Sequence, residues 1–120
     1  MKKVLLVDDT ETVLLFEKTL LRATGHALAT AKNGRLALEA VEDSRPDLIL
    51  MDIVMPELDG IETCRVLKSN PKTREIPVVM VTTKGEPVMV ERAFEAGCDD
   101  YVTKPLDKME LLSKVNTYLA

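Results

Sequence analysis

Tryptophan is missing from this 120-residue sequence, and only two phenylalanines and two tyrosines are present. So few rings leave little to stack against a flavin. Cysteine is equally scarce. Cys64 and Cys98 lie far apart and form no C-x-x-C, which argues against redox and zinc roles and for two reduced residues packed as small apolar groups. Positive charge is not in excess: 16 Lys and Arg face 20 Asp and Glu, a net charge of −4 with no basic stripe. Nucleic acid is therefore not an expected partner of this chain. Long hydrophobic runs are missing too. None approaches the ~20 residues needed to span a bilayer. The opening Met-Lys-Lys-Val-Leu-Leu-Val meets two aspartates before it can form a signal peptide. These absences predict a cytoplasmic protein with no membrane partner.

The residues that are present describe one domain. A chain of this length buries roughly 65% of its unfolded surface, enough for one core. The runs Val4–Val7, Leu48–Met51 and Val78–Val81 are short and continuously apolar, as in parallel strands buried on both faces. Tyr101–Thr103 adds another strand, and His26–Thr30, more mixed, suits an edge. Helical spacing links Val13, Phe16, Leu20 and Ala23; Leu36, Ala37, Ala40 and Val41; Ile61, Cys64 and Leu67; Val90, Ala93, Phe94 and Gly97; and Leu111, Leu112, Val115, Tyr118 and Leu119. Gly25 and Gly97 follow helix ends, Asn70-Pro71 stops the third helix, and Asp107 with Glu110 resembles a capping box. Five strands alternating with five helices predict an α/β fold with a doubly wound parallel sheet, order 2-1-3-4-5. No repeat or linker interrupts it, and the last helix reaches the end of the chain, so residues 1–120 read as one domain without an output domain.

Polar clusters sit where the apolar runs stop: Asp8-Asp9, Asp52, Thr82-Thr83 and Lys104-Pro105. In parallel strands all four fall on one rim, where open α/β sheets bind ligands. Three clustered carboxylates repel one another, which raises the pKa of at least one. A hard divalent cation relieves this, and Mg²⁺ suits one or two carboxylates plus a phosphate. Three carboxylates give −3, and Mg²⁺ with Lys104 returns +3, leaving a neutral site ready for a phosphoryl group. Asp52 is the candidate nucleophile, forming an acyl phosphate. Thr82 is placed to hydrogen-bond a phosphoryl oxygen and Lys104 to contact it as a point charge. Pro105 allows a cis bond that aims the preceding side chain inward.

Together, Val-Asp-Asp at 7–9, Met-Asp-Ile-Val-Met-Pro-Glu-Leu-Asp-Gly at 51–60, Val-Thr-Thr at 81–83 and Lys-Pro at 104–105 resemble the receiver domain of two-component response regulators over the whole chain. The resemblance implies a flavodoxin-like fold and phosphorylation of Asp52 by a histidine kinase, a phosphotransfer protein or a small phosphodonor. It implies Mg²⁺ held by Asp9, Asp52 and the backbone carbonyl of Val54, with Asp8 acting directly or through water. Thr82 and Lys104 are then the phosphoryl contacts, and Thr82 and Tyr101 the switch pair. The protein is expected to catalyse only its own phosphorylation and slow self-dephosphorylation.

Two further expectations rest on the same resemblance. Val54 and Lys84 occupy the positions that flank the attacking water in dephosphorylation. Val54 offers that water no hydrogen bond and Thr83 narrows its access, so decay is predicted to be slow. Arg92, Asp100, Glu110 and Lys114 sit where winged-helix regulators place charges that pair across a symmetric dimer, on the face of the fourth helix, fifth strand and fifth helix. Asn116 replaces a basic residue of that pattern. This face is expected to bind a downstream protein or a second copy. Three competing readings fit less well. An aspartyl phosphatase of the haloacid dehalogenase type wants a second Asp where Val54 stands. A phosphorylation-independent module would not need every acidic position filled. A flavodoxin needs a phosphate loop that is missing after the first strand.

Overall fold

The computed structural model describes residues 1–55, 58–83 and 86–120. Five short segments pair into one parallel sheet: β1 (Lys3–Val7), β2 (Ala27–Ala31), β3 (Leu48–Asp52), β4 (Val78–Thr83) and β5 (Asp100–Lys104). Their order is β2-β1-β3-β4-β5, as the sequence predicts. The helices are α1 (Glu11–Leu21), α2 (Gly34–Asp43), α3 (Gly60–Ser69), α4 (Pro87–Glu95) and α5 (Lys108–Leu119), with one 3-10 turn at Arg22–Thr24.

Side chains alternate across a strand, and this sorts the core into two layers. Leu5, Val7, Ile49, Met51, Val78 and Met80 meet Ala37, Val41, Cys64, Leu67 and Ala93 from α2, α3 and α4. Val4, Leu6, Leu48, Leu50, Val79, Val81 and Val102 meet Leu14 and Leu21 of α1 and Leu111, Val115 and Leu119 of α5. The three inner strands are covered on both faces, hence their unbroken apolar runs. β2, at the edge, exposes Ala27 and Thr30.

The punctuation is largely as read. Gly25 and Gly97 adopt φ of 75° and 101°, and α3 ends at Ser69 with Asn70 as its C-cap. Asp107 caps α5, but its carboxylate accepts from the Met109 N–H rather than from Glu110, which is exposed. The box is therefore only a simple cap, which Asp at this position achieves alone. Both cysteines are buried and unbonded. Burial pushes the Cys64 thiol up to about 11 and the Cys98 thiol to about 12, which keeps both inert.

The buried face of α1 differs from the expected one. Leu20 packs against the layer and Val13 is half-buried, but Phe16 and Ala23 are exposed, and the fully buried stripe is Leu14, Glu17 and Leu21. Leu14 and Leu21 fill the layer, and helical spacing brings the residue between them inward whatever its charge. On α4 only Ala93 is fully buried; Phe94 lies half-exposed against Tyr101.

Candidate functional site

Asp8, Asp52 and Lys104 each follow by two a residue of the layer under α1 and α5: Leu6, Leu50 and Val102. Strand alternation therefore carries all three to one face at the carboxyl ends of β1, β3 and β5. Asp8 and Asp52 are 1% and 7% exposed, while Asp9 is open to solvent. One carboxylate oxygen from each of Asp8, Asp9 and Asp52 lies within 4.8 Å of the others. Asp8 is held at both ends. Its Oδ1 accepts the Thr10 N–H at 2.8 Å, tying the turn that leads into α1, and its Oδ2 is 3.4 Å from Lys104 Nζ. The same ammonium is 3.6 Å from Asp52 Oδ1. The peptide bond between Lys104 and Pro105 is cis.

Burial, and next the Asp8 carboxylate, push Asp52 up to about 6, with Asp9 adding to the rise; Lys104 and a backbone hydrogen bond from Val54 oppose it. The expected conflict among the carboxylates therefore falls on Asp52. Lys104 is raised in turn, because Asp52 and Asp8 favour its charged form more than burial opposes it. Gly60 holds the far side of Asp52. A Cβ there would collide with the Asp52 carbonyl oxygen, so the first turn of α3 approaches the end of β3 closely enough for the Gly60 N–H to reach Ile53 O at 2.9 Å.

Three oxygen donors of one charge suit a hard cation. Carboxylate oxygens within 4.8 Å of one another can converge on one small ion, so the residues fit Mg²⁺. The trio is the one group of this kind found among the described residues.

The hydroxyl cluster lies one strand further on. Thr82 pairs in register with Thr103, and Thr83 with Lys104. Thr82 is 4% exposed and, with Thr83, Glu86, Pro87, Val90, Tyr101 and Thr103, lines a pocket of about 290 Å³. Thr82 and Tyr101 thus share one cavity. The Tyr101 ring packs edge-on against Phe94, centroids 6.1 Å apart, with Lys114 Nζ 5.8 Å from its centroid.

Val54 leaves its side chain 70% exposed beside Asp52. Lys84 lies outside the described residues, as do Pro56 and Glu57 of the 51–60 motif. Of the four charges read as a dimer face, Asp100 and Lys114 pair with each other at 2.7 Å. Burial works to raise Asp100, but Lys114, the Tyr101 N–H and the Tyr118 hydroxyl outweigh it and hold this carboxyl low. Arg92 and Glu110 are exposed, with no ion pair found for either among the described residues. Sequence reasoning missed Glu17, a buried carboxylate on the same side of the sheet. Its signal was the i, i+3, i+7 spacing of Leu14, Glu17 and Leu21, hidden by reading the apolar face of this helix as Val13, Phe16, Leu20 and Ala23.

The model of the response regulator receiver domain matches residues 4–116. The chain belongs to that family. Among curated relatives it is 37% identical over 118 residues to the alkaline phosphatase synthesis transcriptional regulatory protein PhoP of Bacillus subtilis, covering 98% of this chain and 48% of that one. It is 36% identical over 117 residues to the protein PilG of Pseudomonas aeruginosa, covering 98% of this chain and 87% of the relative. The chain thus spans about half the length of several curated relatives and most of another. A solved receiver domain of a signal transduction histidine kinase from Syntrophus aciditrophicus superposes with a TM-score of 0.92 at 39% identity, over 99% of this chain and 90% of that one. This is a two-component receiver domain with the flavodoxin-like topology. Among its described residues, no helix is long and apolar enough to cross a membrane.

Proposed function

We propose that this receiver domain is a phosphoacceptor, taking a phosphoryl group on Asp52 from a histidine kinase, a phosphotransfer protein or a small acyl-phosphate donor. The observation that carries the reading is the junction of Asp8, Asp9 and Asp52 with Lys104 bridging the two buried members. A Asp52 carboxylate oxygen attacks phosphorus, the bond from phosphorus to the donor nitrogen or oxygen breaks with its electron pair leaving on the donor, and an acyl phosphate forms. Asp8, Asp9, Asp52 and the Val54 carbonyl would hold Mg²⁺, which supplies neutralising charge when bound. Lys104 holds the incoming phosphoryl oxygens by point charge, and Thr82 donates its hydroxyl to one of them. Thr82 moving toward the phosphoryl group frees space in the pocket it shares with Tyr101, and the Tyr101 ring turns into that space. Phosphorylation then changes the face made by α4, β5 and α5, where a downstream protein or a second copy binds.

The chemistry is confined to the chain itself, one phosphate per molecule. Incubation with Mg²⁺ and acetyl phosphate, read by intact mass, is expected to add one phosphate to the parent and none to Asp52→Asn. Phosphate on Asp52→Asn at the same stoichiometry would place the acceptor elsewhere. On the output face, Asp100 and Lys114 are already paired within the chain, so a symmetric dimer would draw on Arg92 and Glu110. Exposed pairs are worth about 0–1 kcal/mol each and select a geometry rather than drive association. Light scattering of the phosphorylated protein decides between a dimer and a monomer that awaits another partner.

A further inference from the structure

Glu17 stands in the apolar layer beneath α1, one turn from Leu14 and one from Leu21, and is 1% exposed. Its Oε1 is buried without a hydrogen-bond partner among the described residues. An apolar residue would fill this place without desolvating a carboxyl, as its two neighbours do. In a helix the Cα–Cβ bond tilts toward the N-terminus, and the N-terminus of α1 follows directly from Asp8 and Asp9. The side chain therefore leans toward the acidic rim, on the face to which strand alternation brings Asp8, Asp52 and Lys104. No hydrogen bond or ion pair joins Glu17 to any of them among the described residues.

Resting on the phosphoacceptor reading, we infer that Glu17 is a positioning residue of the phosphoryl-transfer site: a buried carboxyl whose proton answers to the net charge on Asp8 and Asp52. The charged groups that act on it are Asp8 from β1, Lys104 from β5 and Asp52 from β3; α5 meets this layer with the apolar Leu111, Val115 and Leu119. Burial is the largest influence and raises the Glu17 carboxyl, Asp8 raises it further, Lys104 opposes and Asp52 adds, to a value of about 8. At neutral pH the group is a neutral acid. A divalent cation held by the carboxylates cancels the repulsion they exert on it, so the O–H bond of Glu17 breaks and its proton passes to solvent. By reciprocity, losing that proton first makes the cation bind more tightly.

Calorimetric titration of the full chain with MgCl₂ near pH 8, in two buffers of different ionisation enthalpy, counts the protons released per cation. The parent is expected to release a measurable fraction of a proton that Glu17→Gln does not. Its apparent Mg²⁺ affinity should rise on the order of three- to tenfold between about pH 7 and pH 9, while that of Glu17→Gln stays nearly flat. Glu17→Leu, which suits the layer, serves if the glutamine variant fails to fold. Equal proton release from parent and variant overturns the inference alone. A parent that binds no Mg²⁺ overturns the phosphoacceptor reading and this inference with it.

Discussion

The Lys104 ammonium lies 3.6 Å from Asp52 Oδ1 and 3.4 Å from Asp8 Oδ2, both longer than the about 2.7–2.9 Å of a short charge-assisted contact. One cation is thus shared between two buried carboxylates. Lys104→Met leaves the acidic trio with no counter-charge from this residue. Mg²⁺ affinity should then rise, by roughly fivefold for about 1 kcal/mol of lost repulsion, while phosphorylation by acetyl phosphate slows. Calorimetry and intact mass measure the two effects on one sample. Weaker Mg²⁺ binding in Lys104→Met would mean that the ammonium orders the ligands rather than competing with the ion.

Asp52 gives stability a sign that reverses on loading the site. Its carboxyl is raised to about 6 in the fold from an ordinary value of 3.8. The folded state therefore holds this proton more tightly than the unfolded chain. The resulting penalty is absent below about pH 4, grows as pH rises, and is complete above about pH 6. Without divalent cations, Asp52→Asn should be more stable than the parent at pH 7, by on the order of 1–3 kcal/mol, and the gain should vanish near pH 4. With saturating Mg²⁺ the difference should shrink or invert, since the parent, with all three carboxylates, gains more from the ion than the variant. Urea midpoints at the two pH values, with and without Mg²⁺, test both halves.

Glu17 carries a penalty of the same sign, placed higher on the pH scale. Its rise to about 8 means that stability is lost from about pH 4.5 upward until pH passes 8. Glu17→Leu removes the buried carboxyl and its unpartnered oxygen while roughly keeping volume. A gain on the order of 2–4 kcal/mol is expected at pH 7 and a smaller one at pH 4.5, where only the unpartnered neutral carboxyl is relieved. A thermal scan showing Glu17→Leu no more stable than the parent at pH 7 would mean that the carboxyl finds partners in solution, water included.

The sheet order and the acidic junction were legible because each rests on short-range signals. Unbroken apolar runs marked β1, β3 and β4, and the polar residue ending each run had to reach the same rim in any parallel arrangement. The face of α1 was less legible. Two registers of that helix offer apolar residues at similar spacing, and only packing against Leu6, Leu50 and Val102 selects Leu14 and Leu21 over Phe16 and Ala23. Choosing the wrong register hid Glu17. The inward pairing of Asp100 with Lys114 was hidden for a related reason: it joins β5 to α5, and a charge pattern along the chain does not distinguish a partner in the same molecule from one in another.

Val54 bears on how long the phosphorylated state lasts. Its backbone favours the ionised Asp52 carboxylate, which places the residue beside the reacting atoms, and it is 70% exposed there. Hydrolysis of an acyl phosphate needs a water lined up with the bond to be broken, and two methyl groups provide neither donor nor acceptor to orient it. A carboxamide at the same place supplies both. Val54→Asn should therefore shorten the lifetime of the aspartyl phosphate by on the order of several-fold, with stability changed by less than about 0.5 kcal/mol because the side chain is exposed. Val54→Ala separates orientation from access: it opens the approach without offering a hydrogen bond, and its decay should fall between the other two. Decay of the asparagine variant that is equal to the parent's, or slower, would assign control of the water to residues other than Val54.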